Sequence, residues 1–153
     1  MEENSETLRA CKKRAMRILN ARDMSAGEMR ARLAEKGESE EDAQAAVAWL
    51  CELRLIDDAA YAGKVVRHYA QKGFGKRRVL QELRRRKVPE EEWEAALENL
   101  PEDGGALDRL LRQKLGDEFD RASLKRATDA MARRGYSWPE IKAAVERLRD
   151  EQG

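Results

Sequence analysis

Between Lys72 and Val88 the chain reads KGFGKRRVLQELRRRKV, with one acid, Glu82, among Lys72, Lys76, Arg77, Arg78, Arg84, Arg85, Arg86 and Lys87. Ammonium and guanidinium groups at this density attract anions, either phosphodiester oxygens or the carboxylates of another protein. On a helix of 3.6 residues per turn, Val79, Leu80 and Leu83 form one narrow stripe, and Arg77, Arg78, Gln81, Arg84 and Arg85 fall on the opposite side. A solvated charged face normally mixes signs through i,i+4 pairs worth about 0.2–0.5 kcal/mol each. Here only Glu82 is at hand for such a pair, unless the nearby Glu90, Glu91 and Glu92 fold back over the face. Lys76, Arg77 and Arg78 also occupy a first turn, where the helix dipole disfavours cations by about 0.3–1 kcal/mol. A helix start flanked by Gly73, Gly75 and Lys76 suits an incoming anion such as phosphate.

Other chemistry finds little support. KGFGKRR lacks the GxxxxGK[ST] pattern of a phosphate loop and has no strand before it. His68 is the single histidine, beside Tyr69 and without a metal partner at a useful spacing, and reads as a surface or interhelix residue. Cys11 and Cys51 match no metal spacing and sit among apolar helical positions, so both read as buried free thiols. The acids follow charged-helix spacing rather than an acid–base pair. No catalytic, cofactor or metal site is expected, and the chain does not read as an enzyme.

The elements that must carry the basic block come from a repeat. Sliding the sequence by 50 places residues 24–50 over 74–100 without a gap, with Leu33 on Leu83, Ala45 on Ala95, Ala46 on Ala96 and Leu50 on Leu100. Sliding by 98 places Ala34, Gly37, Ser39, Ala45, Ala46, Val47 and Leu50 on Ala132, Gly135, Ser137, Ala143, Ala144, Val145 and Leu148. The 153 residues thus read as three units, 1–56, 57–101 and 102–153, each a leading helix followed by a helix-turn-helix-like pair. The expected helices are 5–22, 25–36, 39–54, 58–72, 75–87, 89–99, 104–115, 122–134 and 138–150, with no strand.

Their boundaries have local causes. Ser25 with Glu28 and Ser137 with Glu140 have capping-box spacing, and Asp57 is placed to cap the next helix. Gly37, Gly73 and Gly135 follow basic last turns as left-handed C-caps, and Pro89 fits a first helical turn. Residues 101–105 (PEDGG), then 115–120 (LGDEFD), are the expected joints. Units this small bury little surface alone, so an elongated all-α array stabilised by docking between neighbours is expected. Trp49, Trp93, Trp138, Tyr61, Tyr69 and Tyr136 read as packing residues rather than base-stacking platforms.

Unit 1 supplies a control, because its positions matching Arg77, Arg78, Gln81, Arg84 and Arg85 are Gly27, Glu28, Ala31, Ala34 and Glu35. The fold therefore does not require the basic face. In unit 3 the matching residues are Lys125, Arg126, Asp129, Ala132 and Arg133, partly basic again.

These residues resemble the RecX family, regulators of the RecA recombinase. The matching features are Arg22, Ser25, Glu28, Met29, Leu33, Lys36 and Gly37, then LIDDAAYA (55–62), then KGFG with Arg78, Glu82, Leu83 and Arg84, then RRGYSWPEI (133–141). Lys76 stands where proline is common in the family, and Lys87 where glycine is usual. The resemblance implies a modular protein of three-helix units that binds the RecA filament in its groove near single-stranded DNA and restrains filament growth, strand exchange and coprotease activity. It places the binding surface at Lys72, Lys76, Arg77, Arg78, Arg84 and Arg85, with Lys125, Arg126, Arg133 and Arg134 in unit 3. The partners expected are filament acids or single-stranded DNA phosphates, with weak duplex binding, for a monomer with no cofactor. The other reading is a helix-turn-helix regulator whose 75–87 helix enters a duplex major groove, although a face of arginines suits phosphates better than base edges.

A formal net charge of +1 argues against indiscriminate coating of DNA. No apolar run approaches the roughly 20 residues that cross a bilayer, and MEENSETLRACKK lacks the apolar core of a signal peptide. A cytoplasmic location away from any membrane is expected.

Overall fold

A computed structural model describes residues 2–101 and 106–152. The described residues form nine α-helices and one short 3-10 turn, with no strand. The helices are α1 (Glu2–Ala21), α2 (Ala26–Glu35), α3 (Glu40–Glu52), α4 (Asp58–Gln71), α5 (Lys76–Arg85), α6 (Trp93–Leu97), α7 (Ala106–Leu115), α8 (Arg121–Arg133) and α9 (Trp138–Gln152); the 3-10 turn, Glu90–Glu92, leads into α6. The joint expected at 101–105 and the helix start expected at 104 fall on 102–105, outside the described residues.

The chain divides into two compact units, Met1–Ala62 with Arg84–Trp93, and Gly63–Leu83 with Glu94–Gly153. In the first, α1 and α2 both pack on α3, and Cys11, Ala15, Met29, Leu33, Ala46 and Leu50 are fully buried. Burial of each large aliphatic or Met side chain contributes about 1.5–3 kcal/mol. In the second, α8 and α9 pack on α7 around Leu107, Leu111, Met131, Ile141 and Ala144.

Most ends are set by the residues the sequence singled out. Ser25 Oγ accepts from the Glu28 N–H at 3.0 Å while the Glu28 carboxylate accepts from the Ser25 N–H at 3.1 Å. Ser137 and Glu140 make the same reciprocal pair at 3.3 and 3.0 Å. Asp57 accepts from the Ala60 N–H at 3.1 Å, and Asp120 caps α8 through Ser123. Hydrogen bonding from the Ser123 side chain and backbone holds the Asp120 carboxyl below its ordinary value.

Three expectations are corrected. Residues 89–99 do not form one helix: Pro89, at φ −66° and ψ 145°, is extended and stands before the 3-10 turn rather than inside a first helical turn. At the far end Glu98, Asn99 and Leu100 donate to carbonyls three residues back, so the α-helical part stops at Leu97. Cys11 is buried, but Cys51 is exposed. Tyr61 and Tyr136 are packing residues as expected, whereas Trp138 is 63% exposed.

Candidate interaction surface

The KGFG segment acquires its shape by locking onto the α8–α9 turn, within the second unit. Gly73 ends α4 at φ 87° and Gly135 ends α8 at φ 101°, left-handed conformations that cost glycine little. The two turns then exchange hydrogen bonds. The Gly75 N–H donates to the Arg134 carbonyl at 2.8 Å, the Arg77 N–H to the Gly135 carbonyl at 3.1 Å, and Arg77 Nη2 to the Ala132 carbonyl at 3.1 Å. In return Arg134 Nη1 donates to the Lys72 carbonyl and Tyr136 Oη to the Gly73 carbonyl, both at 3.0 Å. Carbonyls at a helix C-terminus lack intrahelical donors and carry partial negative charge, so a guanidinium is a natural partner. A Cβ on Gly75 would lie 2.6 Å from the Gly135 carbonyl carbon, so glycine is needed there for the backbone approach itself.

The expectation of a phosphate at the start of α5 is corrected by this arrangement. The N–H groups of Gly75 and Arg77 already meet protein carbonyls. What faces outward is side-chain charge: Lys72, Lys76, Arg77 and Arg78 are exposed and Arg134 is half-buried. Phe74 anchors the group, with the Arg78 and Arg134 guanidinium carbons each 5.4 Å from its ring centroid. Tyr69 lies 5.7 Å from Phe74, and Lys72 Nζ is 6.0 Å from the Tyr69 ring.

Arg84 and Arg85 belong to the first unit. Arg84 stacks 5.4 Å from Trp93, whose Nε1 donates to the Val88 carbonyl at 2.9 Å. Arg85 and Lys87 line an open cavity of about 630 Å³ with Arg22, Arg32, Glu28 and Glu35. There Arg22 pairs with Glu28 at 3.1 Å and Arg32 with Glu35 at 3.4 Å. The Arg86 carbonyl accepts from Ser25 Oγ at 2.6 Å, and its guanidinium donates to Tyr61 Oη at 2.9 Å. Ser25 and Gly75 occupy the same repeat position, as do Arg86 and Arg134. The start of a helix therefore docks on a following turn in each unit, through a side chain in one and the backbone in the other.

Neutralisation is incomplete. Among the described residues no carboxylate forms an ion pair with Arg77, Arg78 or Arg84. Glu82, read from the sequence as the acid at hand on this face, is 96% removed from solvent beside Val79 and Leu83. On α8, Lys125 pairs with Asp129 at 3.1 Å, Arg126 donates to Ser123 Oγ at 3.3 Å, and Arg133 is exposed. The sequence reading missed Phe74, Tyr69 and Trp93 as the rings on which these cations rest. The alternation of aromatic and basic residues from His68 to Arg78 was the available signal. Among the described residues no group of His, Cys, Asp and Glu could hold a metal ion, and no helix is long and apolar enough to cross a membrane.

Comparison with known proteins is consistent across sequence and fold. Residues 11–50 match the domain described as RecX, first three-helix domain, and residues 57–97 match RecX, second three-helix domain. A regulatory protein RecX from Vibrio parahaemolyticus is 33% identical over 137 residues, covering 88% of both chains. One from Trichlorobacter lovleyi is 34% identical over 145 residues, covering 90% of this chain and 94% of that one. The crystal structure of RecX from Lactobacillus salivarius matches the fold with a TM-score of 0.83 at 17% identity, over 94% of this chain and 97% of that one.

Proposed function

The chain belongs to the RecX family of regulatory proteins, and from that premise we propose that it regulates the RecA recombinase, mainly as an inhibitor. It binds the RecA filament on single-stranded DNA, in the filament groove, and restrains filament growth, strand exchange and coprotease activity, so modulating DNA repair and the SOS response. It acts in the cytoplasm as a monomer of three repeats, 1–56, 57–101 and 102–153.

The observation that carries this reading is the set of arginines Arg77, Arg78 and Arg84, each resting on a ring or a carbonyl and none paired with a described carboxylate. Held side chains with free charge lose little entropy on meeting an anion. Lys72, Lys76, Arg77 and Arg78 in one unit and Arg84 and Arg85 in the other form the proposed contact set, with Arg133 and Arg134 beside the first group and Lys125 and Arg126 further along α8. The anions are DNA phosphates or acids of the filament. Insertion of α5 into a duplex major groove is the weaker reading, because the helix start that would reach base edges is engaged with residues 132–135.

The test is ATP-dependent RecA assembly on single-stranded DNA with wild type and a Lys72→Glu, Lys76→Glu, Arg84→Glu variant. These three side chains donate no hydrogen bond to the described fold and lose only ring contacts of Lys72 and Arg84, and circular dichroism checks that the variant keeps its helicity. Wild type suppresses assembly at substoichiometric amounts and the variant does not. Two inert proteins would remove the reading.

A further inference from the structure

Trp138 opens α9 with 63% of its surface exposed, more than any other large hydrophobic side chain of the described residues. A lone exposed indole is ordinary, but one that continues an apolar groove offers a contact surface for a partner. It lines an open groove of about 460 Å³ on α8 and α9 with Leu124 and Val145. Those two pack from below against the core of the second unit, so the floor of the groove is fixed.

The charges around the groove have both signs. Lys125, Lys142 and Arg149 alternate with Asp129 and Glu146, and Lys125 is already paired with Asp129 at 3.1 Å. A phosphodiester chain laid here would meet two carboxylates. A protein face with an apolar side chain and charges of both signs around it is complementary, because interface centres favour tryptophan inside a polar rim.

We infer that the α8–α9 groove is a docking site for a protein partner, which inserts an apolar side chain against Trp138 and meets the mixed charges at the rim. This rests on the proposed function, and on that reading the partner is the recombinase protomer rather than the DNA it coats. The basic cluster around Phe74 and the Trp138 groove then divide the work between nucleic acid or acidic groups and an apolar protein surface.

Fluorescence anisotropy of a labelled oligo-dT tests this, with the oligonucleotide either naked or coated with RecA and a non-hydrolysable ATP analogue. Trp138→Ala is expected to weaken binding to coated DNA about tenfold or more, the size of an interface hot spot, and to leave binding to naked DNA unchanged. Glu146→Lys, a surface change that spares the core, is expected to weaken the coated complex while naked DNA binds as well or better. Equal losses of Trp138→Ala on both substrates would show a nucleobase stacking on the indole and overturn the inference. Unchanged affinity of both variants for coated DNA would overturn it too. Failure of wild type to bind coated DNA would instead remove the proposed function, and is seen before any variant is compared.

Discussion

Gly27 and Lys87 meet so closely that a Cβ added to Gly27 would lie 2.8 Å from the Lys87 Cβ and 3.0 Å from its carbonyl oxygen. Lys87 itself has φ 57°, a left-handed conformation that costs a side-chain-bearing residue about 1–2 kcal/mol. Gly→Ala inside a helix ordinarily stabilises by about 1 kcal/mol, but Gly27→Ala is expected to destabilise by about 1–3 kcal/mol through overpacking. Lys87→Gly relieves the backbone conformation and removes one of the two close contacts, so it restores part of that loss. Urea unfolding of the two single variants and the double variant measures the coupling.

Tyr136→Phe removes the donor to the Gly73 carbonyl, a buried hydrogen bond that ties the α8–α9 turn to the end of α4. A loss of about 1–2 kcal/mol is expected, because the acceptor is left without its partner. Denaturant midpoints read the change, and affinity for single-stranded DNA below the transition stays at the wild-type value.

Alkaline pH should destabilise the protein through three buried groups. Burial, aided by the carboxylates of Glu38 and Asp42, pushes the Cys11 thiol up from 9.0 to about 11, and burial raises Tyr61 and Tyr136 above their ordinary values. In each case the folded state holds its proton more tightly than the unfolded chain does. The stability is therefore fully present below pH 9 and is lost as pH rises toward 11, by roughly 2–3 kcal/mol for Cys11 alone. Thermal melts from pH 7 to 11 should show the decline starting near 9, with Cys11→Ala flattening it. A thiol reagent at pH 8 is expected to modify Cys51 in the native protein and Cys11 only on unfolding.

Salt separates the proposed contacts from one another. If four cations meet phosphates of single-stranded DNA, log affinity falls against log salt with a slope of about −3. Lys76→Gln should reduce that slope by about 0.7 units, whereas Trp138→Ala leaves it unchanged. Titrations between low and moderate salt check both.

What could be read from the sequence was local. The capping pairs at Ser25 and Ser137 and the glycines at 73 and 135 mark helix ends by their own chemistry, and the repeat carried those signals from one unit to another. Interhelical events left no such mark. Gly75 looked like a place for a phosphate because nothing in one dimension shows the Gly135 backbone occupying that space. Glu82 looked like surface charge because helical periodicity places a residue on a face without saying how far a neighbour extends over it. Trp138 looked like core because tryptophans usually are, and only the fold reveals that α9 turns it outward. Lys87 shows the opposite lesson: the position demands a left-handed backbone that glycine would suit better, and lysine accepts it.

Arg77 binds the end of α8 and Arg134 the end of α4 while both still present charge, so they are fasteners as well as electrodes. A genetic screen scoring repair phenotypes would place them among the most sensitive positions and credit them with contacting the partner. Part of their sensitivity would instead reflect lower protein abundance, which Lys72 and Lys76 would not share. Comparing cellular levels of the four variants would separate lost protein from lost binding.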